Sequence, residues 1–284
     1  MKLINQSFEI LEQKDFTITG IKKFIERCGR VCYKSEDRIT DDSYEKFVNM
    51  LVKRDHARPL EFGTVHLQMY ISDFHKLRDT LCINNMWNDQ WIKYHYAGNL
   101  TYVTTNYRYY LAIIKIFPSA ENDFDPQDDE LYPKRYTVHF ITSRGIMDEF
   151  RTHVGLSHLA ESSRYCSYDK NRFGNELTFI IPNWINTNCP NKEQEGPSVA
   201  SIEWSTAMLD AEASYMNLIK MGCTAQQARE VLPLSVKSEL ISCGFEDAWS
   251  NFFYRRCAKD AHPMAREIAT KVKDKFKELG YVNQ

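Results

Sequence analysis

Every second position between residues 64 and 71 is apolar (Val65, Leu67, Met69, Ile71), and the same alternation returns at Tyr136, Val138 and Phe140. A period of two puts those side chains on one face of an extended chain, so both stretches predict strands. Residues 41–54 instead carry Tyr44, Phe47, Met50 and Leu51 at helical spacing, behind Asp41 and Asp42, acids that suit a helix start. Leu177 to Ile181 reads as a further strand ended by Pro182, and Lys237 to Phe245 as another. A long helix is predicted from about 198 to 221, with Trp204, Met208, Ala211, Tyr215 and Leu218 on one stripe and Gly222 stopping it. Thr224 and Gln227 fit a capping box that opens a short helix carrying Arg229, closed near Pro233. Trp249, Phe252, Phe253 and Arg256 share one side of the next helix. Pro263 opens the last one, which turns Ala265, Ile268, Ala269, Val272 and Phe276 inward and ends at Gly280. Residues 100–117 start strand-like and end apolar, and their type stays open. Residues 121–130 carry six acids and Pro126 and predict an exposed loop.

Strands and helices alternate irregularly, which predicts an α+β fold with a mixed or antiparallel sheet and packed helices. The length of 284 residues suits one catalytic domain over 1–284, with an insertion at about 78–132. A net charge of −2 supplies no basic field, so nucleic acid is not the expected partner. Apolar runs are too short to span a membrane, and the N-terminal residues do not resemble a secretory signal, which points to a cytoplasmic protein. Eight scattered cysteines, none in Cys-x-x-Cys, predict reduced thiols rather than a zinc site. Neither a Gly-x-Gly-x-x-Gly turn nor a phosphate loop of Gly-x-x-x-x-Gly-Lys-Ser/Thr type is present.

Candidate chemistry concentrates in residues 148–168. Arg144-Gly145 leads from the strand at 136–140 into a helix that crosses Gly155 and then packs His153, Ser157, His158, Glu161, Ser162, Ser163, Arg164 and Tyr165 into thirteen positions. That density of acid, base, hydroxyl and guanidinium suits a polar, anionic, planar ligand. Arg164, Arg229 and Arg256 all fall on faces expected to be mostly buried, and a guanidinium is costly to bury alone. Each needs either an acid such as Glu161, Glu230 or Glu246, or an anionic ligand whose geometry matches its planar fork. Ser162 and Ser163 lack the Gly-x-Ser-x-Gly setting of a nucleophile and read as phosphate donors or turn caps. His153 and His158, five apart, do not share a helix face. With His56 they fit no standard metal spacing, so no metal site is assigned.

At these residues the chain resembles the flavin-dependent thymidylate synthases. The family signature is Arg-His-Arg, seven residues, Ser, then Arg-Tyr. Here the frame reads Thr152-His153-Val154, seven residues, Ser162, then Arg164-Tyr165. Three further blocks follow the family's order: His56-Ala-Arg58-Pro59-Leu60-Glu61, Ala228-Arg229-Glu-Val-Leu-Pro233, and Asn251-Phe-Phe-Tyr-Arg-Arg256 followed by Ala261-His262-Pro263. Together they span roughly residues 25–278. Both signature arginines are replaced, by Thr152 and Val154. Arg151 lies one position early, about 100° away on a helix.

The resemblance implies the thymidylate synthase-complementing protein fold. It implies methylation of dUMP to dTMP with FAD, NADPH as reductant and 5,10-methylenetetrahydrofolate as one-carbon donor, in a homotetramer with sites where subunits meet. It implies that Arg256 contacts the uracil edge and stabilises charge on the ring as C5 becomes nucleophilic. Glu149, Glu161, Ser162, Ser163, Arg164 and Arg229 are implied to serve the nucleotide, and His56, Arg58, Glu61, Thr152, His153, Val154 and Asn251 to border flavin and folate. Two other readings keep the fold: methylation or hydroxymethylation of a related pyrimidine nucleotide, and a non-catalytic nucleotide-binding relative. The leading expectation is that Arg164, Arg229 and Arg256 converge on one uridylate.

Overall fold

The computed structural model describes residues 1–162, 168, 175–185 and 198–281. In chain order its elements are β1 (Lys2–Ile4), β2 (Ser7–Leu11), α1 (Ile18–Tyr33), α2 (Ser43–Lys53), β3 (Thr64–Tyr70), α3 (Ile71–Ile83), β4 (Ile92–Ala97), β5 (Leu100–Asn106), α4 (Tyr107–Ile116), β6 (Phe124–Asp125), β7 (Arg135–Ser143), α5 (Arg144–Phe150), β8 (Ser157–Ala160), β9 (Thr178–Ile180), α6 (Val199–Lys220), α7 (Ala225–Ala228), β10 (Lys237–Phe245), α8 (Glu246–Arg256) and α9 (Pro263–Glu278). The fold is α+β, as the irregular alternation predicts.

Two antiparallel four-stranded sheets carry the molecule, in the orders β2-β7-β10-β8 and β4-β5-β3-β6, and β1 pairs with β9 in parallel. The second sheet packs its apolar side chains (Leu67, Val103) against α1 to α4 through Ile25, Leu51, Phe74, Leu77 and Ile113. The first sheet is covered by α5, α8 and α9, with Phe140, Phe150, Trp249, Phe252 and Phe276 fully buried. A third cluster closes the other face of β10, where Ile241 and Cys243 meet Phe24 and Cys28 of α1. With cover on both faces, all of β10 except Lys237 is buried, which accounts for its run of mostly apolar and small residues.

Several expectations are refined by the structure. Residues 100–117 are a strand followed directly by a helix, with Asn106 capping the junction by accepting from the Tyr109 backbone N–H at 2.9 Å. The acidic stretch 121–130 is largely exposed, yet Phe124–Asp125 adds a short edge strand to β3. The helix entered at Arg144 does not cross Gly155: it ends at Phe150, and residues 157–160 form β8 on the edge of β10. Gly155 has φ +95°, a conformation that turns the chain back and that a side chain would strain. A Cβ on the facing Gly244 would lie 2.6 Å from Leu156, so the close approach of turn and strand needs glycine there too. The loop read between β9 and α6 lies mostly at residues 186–197, outside the described residues.

Candidate functional site

The C-terminal end of β7 runs straight into α5, whose first residue is Arg144, capped by the Ser143 hydroxyl. Asp148 and Arg151 follow at helical spacing, so all three share a face, and Asp148 takes both guanidiniums, from Arg144 Nε at 3.1 Å and from Arg151 Nη1 at 3.2 Å. A cavity of about 490 Å³ opens beside them, lined by Arg58, Arg144, Arg151 and Arg229 together with His158, Glu161 and Ser162. A second cavity of about 280 Å³ shares Arg144, Glu161 and Arg229 with it and reaches Lys237 and Tyr168.

The charges around this double cavity do not balance. Four guanidiniums face two acids outside the cavity's centre, Asp148 and Glu230, the latter 3.4 Å from Arg229. Arg58 is exposed and has no partner among the described residues. The remaining acids are matched behind the cavity. Lys237 Nζ donates to Glu161 Oε2 at 2.9 Å and also binds Glu239. Glu239 further takes Lys34 at 2.5 Å and His139 Nε2 at 2.8 Å. Lys34 also meets Glu36 at 3.3 Å, so three acids share two lysines there, while the residues lining the two cavities, five cations (the four arginines and Lys237) against three acids (Asp148, Glu161 and Glu230), carry a formal excess of two positive charges. A wall of that sign suits an anionic group such as a phosphate.

Glu161 is 3% exposed, and its Oε1 has no hydrogen-bond partner among the described residues. An orphaned buried carboxylate oxygen is costly, and here it borders both cavities, where a ligand N–H or O–H can satisfy it. The network behind it is strongly polarised. Burial alone would raise the Glu239 carboxyl, but His139, Lys237 and Lys34 outweigh burial and hold it well below the usual carboxylate range. Burial likewise opposes the Lys237 ammonium, and Glu161 and Glu239 outweigh it and hold its pKa up.

Arg256, at the end of α8, does not line the arginine cavity. Its guanidinium is held on three sides: Nε donates to His153 Nε2 at 2.6 Å, Nη1 to Glu149 Oε2 at 2.7 Å, and Nη2 to the Glu149 carbonyl at 2.7 Å. Thr152 Oγ1 accepts a longer bond of 3.3 Å. Burial, then the charge of Arg256, pushes the His153 imidazole down to about 4, so it is neutral and its Nε2 is the acceptor. His158, pushed down to about 4 chiefly by burial, donates from Nε2 to the His153 carbonyl at 3.2 Å and accepts at Nδ1 from Ser242 Oγ at 2.9 Å. Arg256 therefore reaches the cavity wall through two neutral histidines. Glu61, 3% exposed, receives Arg108 Nη1 and Ser157 Oγ at 2.6 Å each and so braces the start of β8.

The sequence-predicted residues divide accordingly. Arg58, Glu161, Ser162 and Arg229 come together at the cavity. Glu149, Thr152, His153 and Arg256 form a second cluster beside it. Ser163 and Arg164 lie outside the described residues. Glu61 is structural support rather than an open contact, while His56, Thr152, Val154 and Asn251 are exposed. Of the acids considered for pairing, Glu230 does meet Arg229, but Arg256 takes Glu149 instead of Glu246. Arg144, Arg151, His158 and Lys237 went unassigned from sequence. The spacing of Arg144, Asp148 and Arg151 is a signal that could have found the first two.

No flavin or folate is part of this structure. His56, Arg58, Val154 and Asn251 are all exposed, and the Arg58 guanidinium, which has no partner among the described residues, is chemically suited to a pyrophosphate.

No curated protein matches. Among solved structures, a UMP/dUMP methylase PolB from Streptomyces cacaoi bound with 5-Br UMP is similar with a TM-score of 0.46 and 14% identity, over 98% of this chain and 92% of that one. The same enzyme bound with 5-Br dUMP gives a TM-score of 0.44 and 15% identity, over 98% and 93%. The family described as thymidylate synthase complementing protein matches residues 134–279, just over half of the 284 residues. With β7 to α9 inside that match, the chain belongs to the thymidylate synthase complementing protein family, whose members are enzymes of the flavin-dependent thymidylate synthase type.

Proposed function

We propose that this chain methylates C5 of a pyrimidine nucleoside monophosphate, dUMP to dTMP, with FAD, NADPH and 5,10-methylenetetrahydrofolate. One observation carries the reading: four arginines line a cavity together with Glu161, a buried carboxylate one of whose oxygens has no donor among the described residues. A nucleoside monophosphate brings both complements, a dianionic phosphate and sugar or base donors.

In this reading Arg144, Arg151 and Arg229 take the phosphate oxygens with charge-assisted bonds, and Ser162 adds a hydroxyl. Glu161 Oε1 accepts from a sugar hydroxyl, held in place by Lys237. Arg256 turns part of its fork from Glu149 toward the pyrimidine edge, where a fixed cation stabilises charge developing on the ring. Neutral His153 keeps Arg256 oriented without competing for the anion. His56, Arg58, Val154 and Asn251 hold the flavin, which when bound supplies the hydride that completes the methyl group. No enzyme thiol is needed. Cys28 is buried and its pKa is raised well above the ordinary thiol value, so it is no ready nucleophile.

Thr152 and Val154 in place of the signature arginines favour one second reading, the same chemistry on another pyrimidine nucleotide. Purified protein supplied with FAD, NADPH and methylenetetrahydrofolate is expected to turn over dUMP and to lose that activity without folate. Turnover of dCMP alone would overturn dUMP as substrate. A colourless protein that acquires no flavin absorbance with FAD would point to the non-catalytic relative.

A further inference from the structure

A further cavity, of about 690 Å³, lies at the opposite end of β7 from the arginines. Arg135, the first residue of β7, lines it, and Arg144 follows the last, so these two arginines stand about 30 Å apart at the ordinary rise of a strand. Its lining includes His66, which is 1% exposed. The imidazole is sandwiched between Phe16, at 4.5 Å and 14°, and Tyr132, at 4.0 Å and 3°. Burial pushes it down to about 4, so it is neutral at physiological pH. Nδ1 lies 2.8 Å from the Gln127 carbonyl, which can only accept, so Nδ1 carries the proton and Nε2 carries the lone pair. No donor among the described residues reaches Nε2. With both ring faces covered and Nδ1 engaged, the edge that His66 offers the cavity is the one bearing Nε2.

The rim of this cavity differs in kind from the arginine site. Lys14, Lys134 and Arg135 stand against Glu12, Asp128 and Glu130, three of each sign. Lys134 is neutralised by Asp128 at 2.7 Å, Glu12 accepts from Tyr281 at 2.9 Å, and Arg135 is spent on the Glu61 carbonyl at 2.7 Å and on Thr64 Oγ1 at 3.2 Å. Lys14 and Glu130 are exposed and have no partner among the described residues. A polyanion finds no surplus of charge here. A ligand with one charge of each sign, or none, meets no penalty, and a flat ring suits a wall built from Phe16, Tyr136 and Tyr281.

The geometry points to a second ligand site at this end of β7, separate from the nucleotide cavity, for an aromatic small molecule of zero net charge whose ring N–H or O–H donates to His66 Nε2. Arg135 joins the site to the Glu61–Thr64 segment, and Glu61 in turn braces β8, so an occupant would sit on the frame of the nucleotide site without touching it.

The test uses the full chain and ligand-observed NMR titration with L-tryptophan, a zwitterion with a ring N–H. Its 1-methyl derivative, lacking that donor, serves as the control. Tryptophan is expected to bind with a Kd of about 1 mM or tighter, a level at which one hydrogen bond is measurable. The methyl derivative and the His66→Phe variant, which keeps the stack and removes the acceptor, should each weaken binding about tenfold. Saturating dUMP should leave the affinity unchanged. Should His66→Phe fail to fold, Lys14→Glu on the exposed rim is expected to weaken tryptophan about threefold or more by removing the partner of its carboxylate. Absence of binding at about 5 mM, equal binding of the methyl derivative, an unchanged affinity in both variants, or displacement by dUMP would each overturn the assignment.

Discussion

The two four-stranded sheets are alike in size and antiparallel pairing, yet each tolerates a different flaw. In β4-β5-β3-β6 the hydroxyls of Thr101 and Thr104 are buried without partners among the described residues. Just beyond β8 on the other sheet the unpartnered atom is Glu161 Oε1. A neutral orphan costs about 1–3 kcal/mol, and a threonine that fills space on β5 can carry that as a modest defect. A carboxylate oxygen costs more, and here Lys237 holds the other oxygen of Glu161 while four arginines line the same cavity. The first flaw is a matter of packing, and the second lies in the wall of the arginine-lined cavity to which the proposed function assigns the nucleotide.

The contrast can be broken most severely at Arg256. Replacement by Ala should cut kcat about a hundred- to a thousandfold with the far-UV spectrum and Tm little changed, because its bonds are to a surface-facing Glu149 and one histidine. Activity within a few-fold of the parent would remove Arg256 from the mechanism. Next comes Lys237→Met, which strands Glu161 and deprives Glu239 of one of its two lysines. A loss of about 3–5 kcal/mol in urea unfolding is expected, and a loss below about 1 kcal/mol would show that the network is not coupled.

A pH series reads both sheets at once, because His66 on β3 shares with the histidines of the site a pKa pushed down to about 4. His153 and His158 have folded pKa values near 4, below the ordinary 6.5. As pH falls through 6.5 the unfolded chain takes up protons that the folded site refuses, so stability falls between about pH 6.5 and 4. Each histidine contributes on the order of 1 kcal/mol per pH unit in that window, and His158→Gln should flatten the slope measured by chemical unfolding. Arg151→Ala should weaken dUMP binding about tenfold in calorimetry while leaving stability within about 0.5 kcal/mol. Unchanged affinity would move the phosphate out of the arginine cavity. The smallest effect is expected on the other sheet: Thr104→Val removes the orphan hydroxyl at nearly constant shape and should be neutral or stabilising by about 1 kcal/mol.

Local pattern made much of this legible. The alternation at Val65, Leu67 and Met69 is β3, and the box at Thr224 and Gln227 is present in the structure. His66 was not legible, because its burial comes from Phe16 and Tyr132, distant in sequence, closing over the face that alternation assigns to solvent. Residues 100–117 resisted assignment for a related reason: a single Asn106 cap switches strand to helix within one apolar run. At the site, the family blocks located Arg229, Glu161 and Arg256. They gave no role to Arg144, and set Arg151 aside as one position out of register, since the signature frame directs attention to positions 152 and 154. The convergence expected of Arg164, Arg229 and Arg256 rests within the described residues on the last two, which stand on neighbouring clusters bridged by His153 and His158.

Lys34 and Glu61 stand outside the stretch that carries the family match. Yet Lys34 supplies one of the cations on Glu239, Glu61 receives the hydroxyl of Ser157, and the Cys32 carbonyl takes the Ser162 amide. The C-terminal half is therefore not a transplantable module. Grafted alone onto another protein, it would carry its phosphate-binding arginines on a frame whose acids and amide had lost their counterparts.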